Sequence, residues 1–181
     1  MNITDGPFTG LKIIEPKLFK DDRGYFYESF QQKRYTDNGF PLFVQDNISR
    51  SHQHVIRGLH YQLPYAQGKL VYVTRGSVWD VVVDIRLSSK TFGKWFSIVL
   101  SDENKLQMFI PPGFAHGFCV LSEEADFFYK CTEYYSPQSE QGVAWDDSTL
   151  NINWPSQSPI LSPKDLVFSP LHEIPHDKLF T

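Results

Sequence analysis

The chain has 181 residues, close to the size of one domain, and carries 17 Lys+Arg against 21 Asp+Glu for a formal net charge of −4. That balance leaves no cationic excess to displace counterions from a nucleic-acid backbone, so no nucleic-acid partner is expected, although a few local cations can still hold one small anionic ligand. With 41% hydrophobic residues the chain is ordinary for a globular protein, and at this size about 70% of the unfolded surface can be buried without a disulfide staple.

In chain order, residues 11–15 and 25–30 read as strands on either side of the polar turn Asp21-Asp22-Arg23-Gly24. Residues 31–38 suit two helical turns, with Gly39 as the stop, because glycine takes the left-handed conformation that closes a helix. Strand-like runs follow at 43–48, 55–61, 69–74, 77–85, 94–100, 106–110, 114–121 and 125–131, and turn formers separate most of them. Many short strands and 15 Phe, 9 Tyr and 4 Trp predict an all-β sandwich or barrel, with the jelly roll as leading candidate. Ser162-Pro163-Lys164-Asp165 reads as a helix start: Ser as N-cap, Pro at the first helical position, a carboxylate at the third. Five of the 12 prolines fall from Pro155 onward, which predicts a tail wrapping the barrel as extended chain and single turns.

Cys119 and Cys131 sit in apolar runs and read as buried structural thiols; no Cys-x-x-Cys pair offers a zinc or redox site. The N-terminal residues lack a basic segment followed by an apolar one. No apolar run approaches the roughly 18 residues of a membrane span, so a cytoplasmic protein without a membrane partner is expected.

Two segments carry chemistry. Arg57-Gly58-Leu59-His60-Tyr61 places two ionisable groups in an apolar strand. Strict alternation would send Arg57 and His60 to opposite faces, so a shared pocket requires a bulge, with Gly58 the natural place for it. In Pro111-Pro112-Gly113-Phe114-Ala115-His116 the spacing Pro-x-Gly-x-x-His matches the second signature of the cupin superfamily, a double-stranded β-helix that often holds a metal. Its first signature supplies His-x-His and then Glu; here the place reads His60-Tyr61-Gln62, and the Glu is absent. Two imidazoles without a third ligand make a poor divalent-cation site, so no metal and no cofactor is expected, and His60 is left free for proton transfer. Lys69 reads either as a solvated strand-end cation or as a pocket charge. Tyr129 shares a face with Ala125, Phe127 and Cys131, so its hydroxyl points toward an apolar interior and needs a partner. Asp165 reads locally as a capping carboxylate.

Taken together, Arg57-Gly58-Leu59-His60-Tyr61-Gln62, Lys69, the run from Gly76 to Arg86, Pro112-Gly113-Phe114-Ala115-His116-Gly117-Phe118, Tyr129-Lys130-Cys131-Thr132-Glu133-Tyr134-Tyr135 and Leu161-Ser162-Pro163-Lys164-Asp165 resemble the dTDP-4-dehydrorhamnose 3,5-epimerase family, over residues 10–171. The resemblance implies a metal-independent cupin-type jelly roll with short helices mainly near the C-terminus. It is read as a single domain over residues 1–181, with the N-terminal strands swapped into the partner of a homodimer and residues 155–181 as the wrapping tail. The implied substrate is dTDP-4-dehydro-6-deoxy-D-glucose, inverted at C3 and C5 through an enolate. In that scheme His60 is the base, Asp165 orients it, Tyr129 is the acid on the opposite face, and Lys69 lies beside the C4 carbonyl oxygen. Asp80 and His116 line the pocket. Arg23, Glu28, Gln45, Asn47, Arg57, Glu140 and Lys164 contact the nucleotide, Arg23 and Glu28 doing so in the neighbouring subunit, and Tyr135 stacks on thymine in preference to Tyr134. Whether one centre or both are inverted, and what Asp80 and His116 do, are left open by the residues.

Overall fold

In the computed structural model, which describes residues 1–181, the chain forms β1 (Asn2–Asp5), β2 (Lys12–Glu15), β3 (Phe19–Asp21), β4 (Gly24–Phe26), α1 (Gln32–Asp37), β5 (Gln45–His52) and β6 (Ile56–Gln62). There follow β7 (Lys69–Arg75), β8 (Ser77–Asp84), β9 (Trp95–Ser101), β10 (Gln107–Ile110), β11 (Phe114–Val120), β12 (Glu124–Cys131) and β13 (Glu140–Gly142). Two antiparallel sheets face each other, one in the order β1-β2-β10-β7-β12-β5 and the other β13-β6-β11-β8-β9, while β3 and β4 form a separate hairpin. This is a cupin-type jelly roll. No helix is long and apolar enough to cross a membrane.

The alternation of each strand assigns its residues to layers. On β8, Val78, Asp80 and Val82 point between the sheets, where Val78 and Val82 meet Val71, Val73, Met108, Phe118 and Phe127. Val81 and Val83 point outward and are equally buried, because Leu150, Leu171 and Leu179 of the C-terminal segment cover that face. The six-stranded sheet is covered on its outer face by Tyr35 of α1 and Phe40, which pack on Ile14, Leu70 and Phe109. A strand covered on both faces reads as a continuous apolar run, which is why 77–85 is so easily recognised in the sequence. Each fully buried aliphatic side chain in these layers contributes roughly 1.5–3 kcal/mol.

Several expectations change in detail. β1, β3 and β13 are additional, and 25–30 shrinks to Gly24–Phe26 because that hairpin has no sheet to join. β5 runs on to His52, four residues past the expected end; its inward face carries Gln45, Asn47, Ser49 and Ser51, so apolar content underestimates it. The segment Ser162–Asp165 is a turn and not a helix. Ser162 Oγ does accept from the Asp165 N–H at 3.2 Å, but the chain leaves helical geometry within one turn. The single α-helix lies in the N-terminal third, and only 3-10 turns occur near the C-terminus.

Candidate active site

The strand register between β6 and β11 makes the site possible. His60 pairs with His116 but Arg57 pairs with Phe118, so three steps on β6 span two on β11. The extra residue is a bulge at Gly58–Leu59. Gly58 has φ +124°, a conformation that side chains disfavour, and a Cβ there would come within 2.5 Å of Gly117 Cα. The bulge turns Arg57 and His60 toward one cavity of about 360 Å³ between the sheets. β5 adds Gln45, Asn47 and Ser49 to its wall, β7 adds Lys69, β11 adds His116 and Phe118, and β12 adds Phe127, Tyr129 and Cys131. Gln62, Tyr135, Glu140 and Lys164 are also among the lining residues.

His60 Nε2 lies 2.5 Å from Asp165 Oδ1. Asp165 is buried, and its second oxygen accepts from the Ser162 hydroxyl at 2.8 Å. Burial pushes the Asp165 pKa up, but the His60 and Ser162 hydrogen bonds and the nearby Lys164 charge outweigh it, so the carboxyl sits below its ordinary value. An ionised carboxylate only accepts, which puts the His60 proton on Nε2 and leaves Nδ1 as the basic atom. Burial pushes the His60 pKa down; Asp165 opposes this, while Lys69 and Lys164 add to it, and the imidazole is held neutral more readily than free histidine. The edge of Phe168 meets the His60 ring at 5.7 Å between centroids.

A second imidazole–carboxylate pair lies alongside. His116 Nε2 reaches both oxygens of Asp80 at 3.0 and 2.9 Å, and Asp80 is fully buried behind it. Burial raises the Asp80 pKa against the opposing influence of His116 and Lys69. Lys69 alternates with Val71 and Val73 into the interior, and its Nζ lies 6.0 Å from the Tyr129 ring centroid. Burial pushes the Lys69 pKa down, with Cys131, Glu140 and Asp80 opposing. The Tyr129 phenol is pushed up, chiefly by burial, and its hydroxyl lies on the cavity wall without a side-chain hydrogen bond in the protein.

The polar end of the cavity is a linked set. Tyr135 donates its hydroxyl to Glu140 at 2.9 Å, and Lys164 Nζ bonds the other Glu140 oxygen at 2.6 Å. The Tyr135 N–H donates to Gln45, whose amide donates to Asn47 at 3.1 Å, and Arg57 Nε donates to Ser51. Arg23 and Glu28 are not brought to this cavity: Arg23 pairs with Asp21 on the β3–β4 hairpin, and Glu28 pairs with Arg34.

As for a metal of the kind that cupins often hold, no group of three His, Cys, Asp or Glu side chains comes together. His60 and His116 have no third donor beside them, so the donor set does not fit a divalent cation. Sequence reasoning missed Phe168, for which no local signal exists, and the place of Cys131 on the cavity wall. The latter was available from its alternation with Phe127 and Tyr129.

Fold and site together define a cupin-type jelly roll whose cup holds a polar cavity with two imidazole–carboxylate pairs. Residues 5–173 match the family profile described as dTDP-4-dehydrorhamnose 3,5-epimerase, and the chain belongs to that family. It is 56% identical over 169 residues to the dTDP-4-dehydrorhamnose 3,5-epimerase of Shigella flexneri, covering 92% of this chain and 93% of that protein. The enzyme of the same name from Escherichia coli is 51% identical over 183 residues, covering 99% of each chain. A solved dTDP-6-deoxy-D-glucose-3,5-epimerase from Legionella pneumophila, in complex with dTDP-4-keto-L-rhamnose, superposes with a TM-score of 0.95 at 54% identity, covering 99% of this chain and 97% of that one.

Proposed function

We propose that the protein inverts C3 and C5 of dTDP-4-dehydro-6-deoxy-α-D-glucose to give dTDP-4-dehydro-β-L-rhamnose, a step of dTDP-L-rhamnose synthesis. The observation that carries this reading is a carboxylate-backed imidazole, His60–Asp165, sharing one cavity with the unengaged phenol of Tyr129 and the cation of Lys69. The C4 ketone acidifies the hydrogens at C3 and C5. His60 Nδ1 removes one of them, the charge moves to the C4 oxygen as an enolate, and Lys69 stabilises it there. Tyr129 returns a proton to the opposite face, and the resulting imidazolium and phenolate then re-equilibrate with solvent before the second inversion. Both inversions are redox-neutral proton transfers, so the reaction consumes no cofactor.

Arg57 and Lys164 would take the pyrophosphate, for which a guanidinium fork is well shaped, and Tyr135 would stack on the thymine, with Gln45, Asn47 and Glu140 as polar contacts. His116 and Asp80 would complete the sugar pocket. We infer a homodimer in which the β3–β4 hairpin carries Arg23, and the segment just after it Glu28, to the neighbouring cavity. In support, that hairpin has no sheet partner in its own chain and exposes Phe19, Tyr25 and Phe26.

Incubation with substrate in deuterium oxide, followed by NMR, tests the reading. Wild-type protein is expected to place deuterium at both C3 and C5, and His60→Ala to place none at either. Tyr129→Phe should keep some exchange while losing inversion, since deprotonation survives and delivery from the opposite face does not. Label at one centre only would make the protein a single-centre epimerase, and exchange persisting in His60→Ala would remove the base assignment.

A further inference from the structure

Gln62 occupies the position where the metal-binding cupin pattern has its second histidine, and the chemistry above leaves it without a task. Its side chain is 4% exposed, and its amide spends its capacity on the backbone of two loops. Oε1 accepts from the Ser136 N–H at 2.9 Å, while Nε2 donates to the Tyr134 carbonyl at 3.0 Å and to the Tyr65 carbonyl. Between the two anchored residues lies Tyr135, whose own N–H is taken by Gln45 at 2.9 Å. Three consecutive residues are therefore held through their backbone by amides reaching from the end of β6 and the start of β5. The Tyr135 ring beyond them is half exposed at the cavity wall.

We propose that Gln62 is a positioning residue for nucleobase binding: its amide fixes the 134–136 backbone so that the Tyr135 ring stands ready for the base before the ligand arrives. A platform ordered in advance loses less freedom on binding than one that must be ordered by the ligand. Histidine could not serve here. A neutral imidazole offers one donor and one acceptor, whereas this clamp uses two donors and one acceptor. The exchange of His for Gln thus removes a metal ligand and supplies the clamp in one change. The proposal rests on the reading of a dTDP-sugar substrate.

The test is calorimetric titration with dTDP together with steady-state kinetics, on Gln62→Glu and Gln62→Met, each made in wild-type and Tyr135→Ala backgrounds. Gln62→Glu keeps the acceptor and loses both donors. It is expected to raise the dTDP Kd and the KM about tenfold, within the range of one base–aromatic stack, with kcat changed less than about twofold. In the Tyr135→Ala background the same substitution should add less than about twofold, because no ring remains to be placed. Gln62→Met, of similar size and without charge, should behave alike. Unchanged dTDP affinity, a kcat loss with affinity retained, an equal loss in both backgrounds, or failure of both variants to fold would each overturn the proposal. Wild-type protein that binds no dTDP would instead overturn the functional reading beneath it.

Discussion

Two buried carboxylates in this molecule are held below their ordinary pKa, and the function proposed above gives only one of them a part in the chemistry. Asp84, at the end of β8, accepts from the Arg86 backbone N–H, from Arg86 Nε and Nη2 at 2.8 and 2.7 Å, and from the Ser89 and Thr91 hydroxyls at 2.6 and 2.5 Å. Burial would raise its pKa, but these donors outweigh it and hold the carboxyl at about 2. Asp165 is also buried and also held below its ordinary value, yet its main partner is an imidazole. Arg86 spends its cation on Asp84, on the Thr9 carbonyl and over the Phe114 ring, and has no proton to trade near neutrality. His60 returns one nitrogen to the cavity. Under the proposed function, what separates the structural carboxylate from the catalytic one is whether its partner keeps a titratable atom in reserve.

The largest expected effect comes from breaking the catalytic side. In Asp165→Asn the amide can donate to His60 Nε2, which would move the ring proton to Nδ1 and block the basic atom. A loss of about 10³–10⁴ in kcat is expected, as for the wrong-tautomer variant of a serine protease triad. The thermal melting point should move little. Steady-state kinetics alongside a melt measures both, and turnover within about tenfold of wild type would reduce Asp165 to a scaffold residue.

Breaking the other side should do the reverse. Asp84→Ala leaves the Arg86 cation without its bidentate partner and is expected to cost about 3–5 kcal/mol in urea unfolding, with kcat per folded molecule unchanged. The acid dependence carries the same signature. The folded pKa of Asp84 lies below the unfolded value, so its stabilisation is full above about pH 4 and is lost as pH falls toward 2. Asp84→Asn should flatten that part of the stability curve. Equal acid sensitivity in the variant would show that other carboxylates dominate it.

The same contrast explains what could be read in advance. Strands such as β7, β8 and β11 announce themselves because both of their faces are buried and apolar. β5 does so poorly, since the face it turns inward is a polar cavity wall. Likewise Asp84 and Arg86 form a local pair two residues apart, whereas His60 meets Asp165 across 105 positions. No spacing rule reaches that far, and Asp165 alone reads as a helix cap; only the resemblance of the whole motif set to a family brought the two together. The bulge at Gly58 could be inferred because Arg57 and His60 three apart cannot otherwise share a pocket. Phe168 against His60, and Gln62 turned toward loop carbonyls, depend on how the tail and the loops fold back, for which the sequence holds no period.

The smallest expected effect sharpens the comparison at Lys69, a half-buried cation that, unlike Arg86, has no carboxylate bound to it. Burial lowers its pKa from the ordinary 10.5, while the facing Tyr129 phenol is raised from 10.0. Both must be protonated to act, so activity falls as pH rises through the lower of the two, and we expect that limb to be Lys69's. Lys69→Ala removes the enolate's cation and should cost at least about a hundredfold in kcat. Lys69→Arg keeps a charge that does not titrate in this range. It should cost only about tenfold, because the fork is bulkier than an ammonium, and the alkaline limb should move upward to the position set by Tyr129. A pH–rate profile of the two proteins decides it: an alkaline limb that stays in place in Lys69→Arg belongs to the phenol, and Lys69 then acts as a fixed charge throughout the working range.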